Sequence, residues 1–135
     1  MRQITLIDQT IREGMQFQGV MFSCDQRLKI LEFQEALGVD ICQAGYPSAH
    51  PKEAAMVKTL VDHAGQRGFN IRVAALGRAF LPDAKILVDT GITDVHFHLH
   101  LPPDTGLQAL ENTFSQLIPV VDFVRTARPD AIISL

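Results

Sequence analysis

The chain has 135 residues, 47% of them hydrophobic and 20% charged, with a formal net charge of -3; this describes a soluble globular chain of single-domain size that can bury a core. The acidic balance and the lack of a basic cluster exclude an electrostatic footprint for nucleic acid or an anionic membrane surface, and no apolar run reaches bilayer-spanning length. Cys24 and Cys42 show no C-x-x-C spacing, and Met1-Arg2 leads into a strand pattern rather than an apolar leader, so a reduced, cytoplasmic protein is expected.

In chain order, short β-branched runs alternate with longer segments of helical period, the pattern of βα units around a parallel sheet. Five strands and four helices are predicted. Ile4 to Asp8 is the first strand, which delivers the adjacent charges Arg12 and Glu13 before Gly14 turns the chain. Ser23 to Gln26 reads as a capping box opening a helix with Ile30, Phe33 and Leu37 on one face, stopped by Gly38. Val39 to Gly45 is the second strand. Pro51 opens a helix carrying Ala54, Val57, Val61 and Ala64 inward, and Gly65 and Gly68 close it. Ile71 to Leu76 is the third strand; Pro82 starts a short helix that Gly91 ends. Asp94 to Leu101 is the fourth strand. Leu107, Leu110, Phe114, Leu117, Val121 and Val124 then recur at spacings of three and four, the clearest amphipathic helix, which Pro119 should kink. Ala131 to Leu135 is a fifth strand. A parallel sheet that begins and stops on strands leaves two unpaired edges unless it closes or continues, so the chain reads as part of a barrel.

A strand that ends in opposite charges is a poor way to build a core and a good way to build a site. Read alone, Arg12 and Glu13 favour a surface ion pair after a strand over a site. The run Asp8-Gln9-Thr10-Ile11-Arg12-Glu13-Gly14-Met15-Gln16 resembles the D-x-T-L-R-[DE]-G-x-Q signature of the DRE-TIM metallolyases, which include 2-isopropylmalate, homocitrate and citramalate synthases and 3-hydroxy-3-methylglutaryl-CoA lyase. Gly38-Val39-Asp40-Ile41 through Gly45-Tyr46-Pro47-Ser48 is similar to the family's second strand, G-V-D-x-I-E-x-G-F-P-x-x-S. Ala75-Leu76-Gly77-Arg78-Ala79 is similar to its A-L-x-R-A third strand, and Asp94-Val95-His96-Phe97 to a His-bearing fourth strand.

The resemblance covers essentially the whole chain but only the first half or so of a TIM (β/α)8 barrel; residues 1–135 would be the N-terminal part of one catalytic domain, inactive by itself. It implies a divalent metal, magnesium, manganese or zinc, at the carboxyl ends of the strands, and a Claisen-type condensation of acetyl-CoA with a 2-oxo acid in amino-acid biosynthesis. A metal acts there as a Lewis acid and a fixed guanidinium stabilises the charge that develops on the carbonyl oxygen. By the resemblance, Glu13 is the metal carboxylate, Arg12 the charge-stabilising arginine and Gln16 the polar group beside it. The family's His-x-His metal pair comes from a later strand.

Gln43 stands where the family usually has glutamate, so a carboxylate near the metal has become neutral, and we place Gln43 among the substrate-pocket residues. His96, His98 and His100 alternate on one strand face and would point into the barrel, as hydrogen-bonded interior imidazoles, as pocket lining, or as metal ligands. If His98 and His100 line the pocket, they favour a polar or acidic 2-oxo acid. Arg78 either pairs with a substrate carboxylate or ties the third strand to acidic neighbours. Ser48 and His50 read as turn or cap residues, and the cysteines as small core residues. No glycine-rich phosphate loop or nucleophile elbow is present. The expected partners are small molecules, an acyl-CoA and a 2-oxo acid, with a homodimer or association with the remaining half-barrel. Two alternatives stay open: an acyl-CoA lyase of the same family, and a non-catalytic half-barrel that assembles through its strand edges.

Overall fold

The computed structural model describes residues 4–135, so the expectation at Met1 and Arg2 lies outside the described residues. Five strands, β1 (Ile7–Asp8), β2 (Ile41–Gln43), β3 (Arg72–Arg78), β4 (Asp94–His98) and β5 (Ile132–Ser134), form one all-parallel sheet in sequential order. Sequential order with right-handed crossovers puts the connecting helices on one face. These are α2 (Cys24–Ala36), α3 (Pro51–Arg67), α4 (Leu81–Asp89) and α5 (Leu107–Ala127); a one-turn helix, α1 (Thr10–Glu13), follows β1.

The core lies between sheet and helices, where Cys42, Val73, Ala75, Val95 and Phe97 meet Leu31, Val57, Leu60, Leu87, Val120 and Val124. Side chains alternate along a strand, so Gln43, Ala74, Leu76, Asp94, His96 and His98 lie on the opposite face. The register joins them in rows: Gln43 with Ala74 and Asp94, Leu76 with His96, and Arg78 with His98. Burial drives the Cys42 thiol up to about 12, with Asp8 adding to the shift, which leaves an inert core sulfur.

Local chemistry explains where the elements begin and where the expectations needed correction. The chain does not simply turn at Gly14. Asp8 Oδ1 accepts from Thr10 N at 2.7 Å and Gln9 O from Glu13 N at 2.7 Å, so the segment coils through α1 into a 3₁₀ turn over Gly14–Gln16, with Ile11 fully buried. Gly14 itself has φ -58, an ordinary helical value.

The capping box of α2 is present: Ser23 Oγ accepts from Gln26 N and Gln26 Oε1 from Ser23 N. Ile30 packs against the core as expected, but the buried residues of α2 are Arg27, Leu31 and Gln34, and Phe33 and Leu37 are 58% and 79% exposed. Polar contacts set that rotation, because Gln34 Nε2 donates to Asp8 at 2.7 Å and Arg27 reaches Glu53 on α3. For α3, His50 Nδ1 accepts from Lys52 N at 3.1 Å, which bears out the cap reading, and Gly68 at φ 65 closes the helix.

β4 stops at His98 rather than Leu101. The ladder to β3 ends at the Arg78 and His98 row, and Pro102-Pro103 offer no N–H groups to extend it. In α5, Pro119 sits inside a continuous helix, and the expected stripe packs only in part: Leu117 and Val124 are buried, Leu110 and Val121 half-buried and Leu107 and Phe114 exposed, while Val120, outside the stripe, is buried. Among the described residues no helix is long and apolar enough to cross a membrane.

Candidate active site

At the carboxyl ends of β1 and β2 a cleft of about 340 Å³ is lined by Arg12, Met15, Gln16, Tyr46, His50 and Glu53. Arg12 and Gln16 arrive from the helical turns after β1; Tyr46 and His50 flank the 3₁₀ turn Pro47–Ala49 after β2. Arg12 forms a salt bridge with Glu13. One wall is braced by Arg27, 7% exposed, whose Nη1 donates to Glu53 Oε1 at 3.1 Å and Oε2 at 3.0 Å and whose Nη2 donates to Met15 Sδ at 3.0 Å.

Below the strand ends, Gln43 Nε2 lies 2.8 Å from His96 Nδ1, bridging β2 to β4 over the small Ala74. Both residues are buried, and neither Gln43 Oε1 nor His96 Nε2 has a partner among the described residues. Burial holds His96 below the usual imidazole range; Asp94 opposes that and Arg72 adds to it. Asp94, fully buried, accepts from Thr93 Oγ1 at 3.0 Å and pairs with Arg72 Nε at 3.4 Å.

The structure brings Arg12 and Gln16 into one cleft and Gln43 onto the inward face with His96. It does not bring the other expected pocket residues together. His98 is exposed on the row above His96, and His100 lies beyond the end of β4, exposed in the loop before α5. Arg78 is tied to an acidic neighbour: its Nε and Nη2 donate to Asp83 at 3.1 and 3.0 Å, and its cation sits 4.5 Å from the centre of the Phe80 ring.

Taken alone, the described residues do not supply a complete set of donors for a divalent metal. Glu13 is engaged by a guanidinium and its side chain is 43% exposed, and no group of three or more His, Cys, Asp or Glu is placed to hold an ion among the described residues.

Sequence reasoning missed three residues. Asp83 is 1% exposed and accepts from Ser48 Oγ at 2.7 Å, Tyr46 OH at 3.4 Å and Arg78 N at 2.9 Å as well as from the Arg78 side chain. Hydrogen bonds from Arg78 and Ser48 and the Arg78 charge hold its carboxyl below the usual range although burial, the largest single influence, pushes the other way. The Arg27 and Glu53 pair was missed as well. An Arg and an Asp five apart across a strand-to-helix turn was a readable signal for the first; nothing local marks the second, whose partners are 26 residues apart.

The chain matches the family model described as HMGL-like over residues 3–129. The 2-isopropylmalate synthase of Sulfurisphaera tokodaii is 32% identical over 95 residues, covering 70% of this chain and 24% of that protein. The homocitrate synthase AksA of Methanocaldococcus jannaschii is 30% identical over 130 residues, covering 93% of this chain and 31% of that protein. The chain therefore spans less than a third of the length of either relative. The solved structure "PhdJ bound to substrate intermediate" shares the fold, with a TM-score of 0.52 at 17% identity over 96% of this chain and 41% of that one. With five parallel strands in barrel order and a family match across nearly all of its length, the chain belongs to the HMGL-like family, the DRE-TIM metallolyases, and forms part of their (β/α)8 barrel.

Proposed function

We propose that the chain contributes the first five strands of a catalytic barrel that condenses acetyl-CoA with a 2-oxo acid. The observation that carries this reading is the convergence of Arg12 and Gln16 on one cleft at the carboxyl ends of β1 and β2, the end of a barrel where catalytic residues gather. The names of the curated relatives, 2-isopropylmalate synthase and homocitrate synthase, support the reaction class.

In the condensation, the enolate carbon of the acyl-CoA forms a bond to the ketone carbon, and the ketone oxygen becomes an alkoxide. Water then cleaves the thioester and coenzyme A leaves. Arg12 supplies a fixed positive charge for the developing alkoxide, and Gln16 an amide donor beside it. Glu13 holds the guanidinium in place, and a guanidinium with five N–H donors keeps some free while bound to one carboxylate. His96, neutral and braced by Gln43, offers hydrogen bonding from the inward face without adding charge.

The test is coenzyme A release from acetyl-CoA by this chain completed with the remaining strands of the barrel, with a panel of 2-oxo acids in the presence of magnesium, manganese or zinc. Release with at least one acid is expected, and Arg12→Ala should lower it by about 10²–10³-fold. Silence across the panel sinks the reading. Carbon–carbon cleavage of a hydroxyacyl-CoA to acetyl-CoA and a keto product, with no free thiol formed, would favour the lyase instead. A second reading, assembly through sheet edges, is favoured by the exposure of Ile7 on β1 and Ile132 on β5; light scattering showing a monodisperse dimer without enzymatic turnover would support it.

A further inference from the structure

Asp83 is the most heavily bonded carboxylate among the described residues, and it does not itself line the cleft. It sits in the first turn of α4, yet its bonds run to two other connections: to Ser48 and Tyr46 in the segment between β2 and α3, and to the backbone and side chain of Arg78 at the end of β3. Tyr46 and His50 from that same segment line the cleft. The segment has few other anchors: Pro47 is buried, Ala49 N donates to Tyr46 O, and His50 is exposed and occupied in capping α3.

We infer that Asp83 is a positioning residue, a latch that fixes the Tyr46–His50 wall of the cleft against the end of β3 and keeps the Arg78 guanidinium out of the substrate pocket. A buried carboxylate that accepts charge-assisted and hydroxyl bonds is a rigid hub, since each donor it loses leaves it less compensated in a dry site. This inference rests on the cleft being the ligand site proposed above.

Two variants test it. Asp83→Asn removes the charge and releases Arg78; Ser48→Ala removes only the shortest bond and leaves the Arg78 pair intact, so the fold survives even if the first variant is unstable. Tyr46 is the only tyrosine and there is no tryptophan, so intrinsic emission reports the surroundings of Tyr46. Both variants should change that emission and speed amide exchange over residues 46–53 about tenfold, the effect of one lost hydrogen bond of ordinary strength. The amides of β3 and β4 should exchange at their original rates. In the Ser48→Ala protein the KM for the 2-oxo acid should rise several-fold while kcat holds. Unchanged exchange and emission in both variants overturns the inference, as does a loosened segment with an unaltered KM. Should the wild-type protein release no coenzyme A at all, the proposed reaction fails, and exchange and emission still decide whether Asp83 is the latch.

Discussion

Replacing Glu53 by alanine should cost far more stability than removing both members of its ion pair. Arg27 is 7% exposed; its Nη1 donates to both Glu53 oxygens, its Nε has no partner among the described residues, and its one remaining contact is the Met15 sulfur, a weak acceptor. Breaking a buried pair by deleting one partner costs about 3–5 kcal/mol, because a charge is left uncompensated. The Glu53 side chain keeps 18% of its surface in water, so solvent reaches the vacated space, and we place the cost at the lower end, about 3 kcal/mol. For a chain of this size that is a fall in Tm of about 10 °C. The double variant Arg27→Met/Glu53→Leu removes the charge and refills the space with apolar atoms, and should lie within about 1 kcal/mol of wild type. Urea midpoints of the wild type, both single variants and the double variant form the cycle. A Glu53→Ala protein no less stable than the double variant would refute the reasoning, since it would mean that Arg27 is not stranded when its partner goes. The same geometry predicts the behaviour of Gly45, where an added Cβ would stand 2.2 Å from Glu53 Oε1 and 3.0 Å from Val57 Cγ2. Gly45→Ala should destabilise wild type and lose most of that effect in the Glu53→Ala background.

Two further predictions concern the sheet. Gly77→Ala would place a methyl group 2.6 Å from Leu87 Cδ1 in the packed layer between β3 and α4; overpacking should cost about 1–3 kcal/mol by urea unfolding, and Gly77→Ala/Leu87→Ala should show favourable coupling, whereas purely additive losses would count against the contact. His96 binds a proton more weakly when folded than in the unfolded chain, so as pH falls below about 6.5 the unfolded state gains a proton that the folded state resists, and stability drops. Above that pH the group contributes no slope. The carboxylates with lowered values, Asp83, Glu35 and Glu32, lose their contribution only in the more acidic range below about 4.5, so the two effects separate. Gln43→Glu puts a carboxylate against His96 Nδ1 and should raise the imidazole and abolish the loss near pH 6; proton NMR of the ring follows both. A wild-type His96 titrating at or above 6.5 would contradict the burial argument.

How much of this was readable in advance divides along a physical line. The four long helices and five strands follow from patterns inside windows of a dozen residues, and so do the Ser23 box, the His50 and Pro51 start and the Gly68 stop. The boundaries drifted where a partner decides them: β4 ends with its ladder to β3 and not with its apolar alternation. The α2 face was misjudged at Phe33 and Leu37, which are more apolar than Gln34 and Arg27, because Gln34 and Arg27 have half-buried polar partners, Asp8 and Glu53, that turn them inward.

The candidate site shows the same split. The Arg12, Glu13 and Gln16 run is contiguous, and its place after the first strand was visible from order alone. Whether Arg78 met a substrate or a neighbour, and which of the three histidines was enclosed, depended on side chains brought together from separate elements. Sequence by itself determined the βα alternation, the sheet face of each strand residue and the family, because these rest on local period and contiguous motifs. Only the tertiary structure decided that Asp83 gathers the wall of the cleft, that Arg27 and Glu53 brace it and that His96 rests on Gln43, because each of those bonds joins separate elements and exists only once the sheet has brought them within reach.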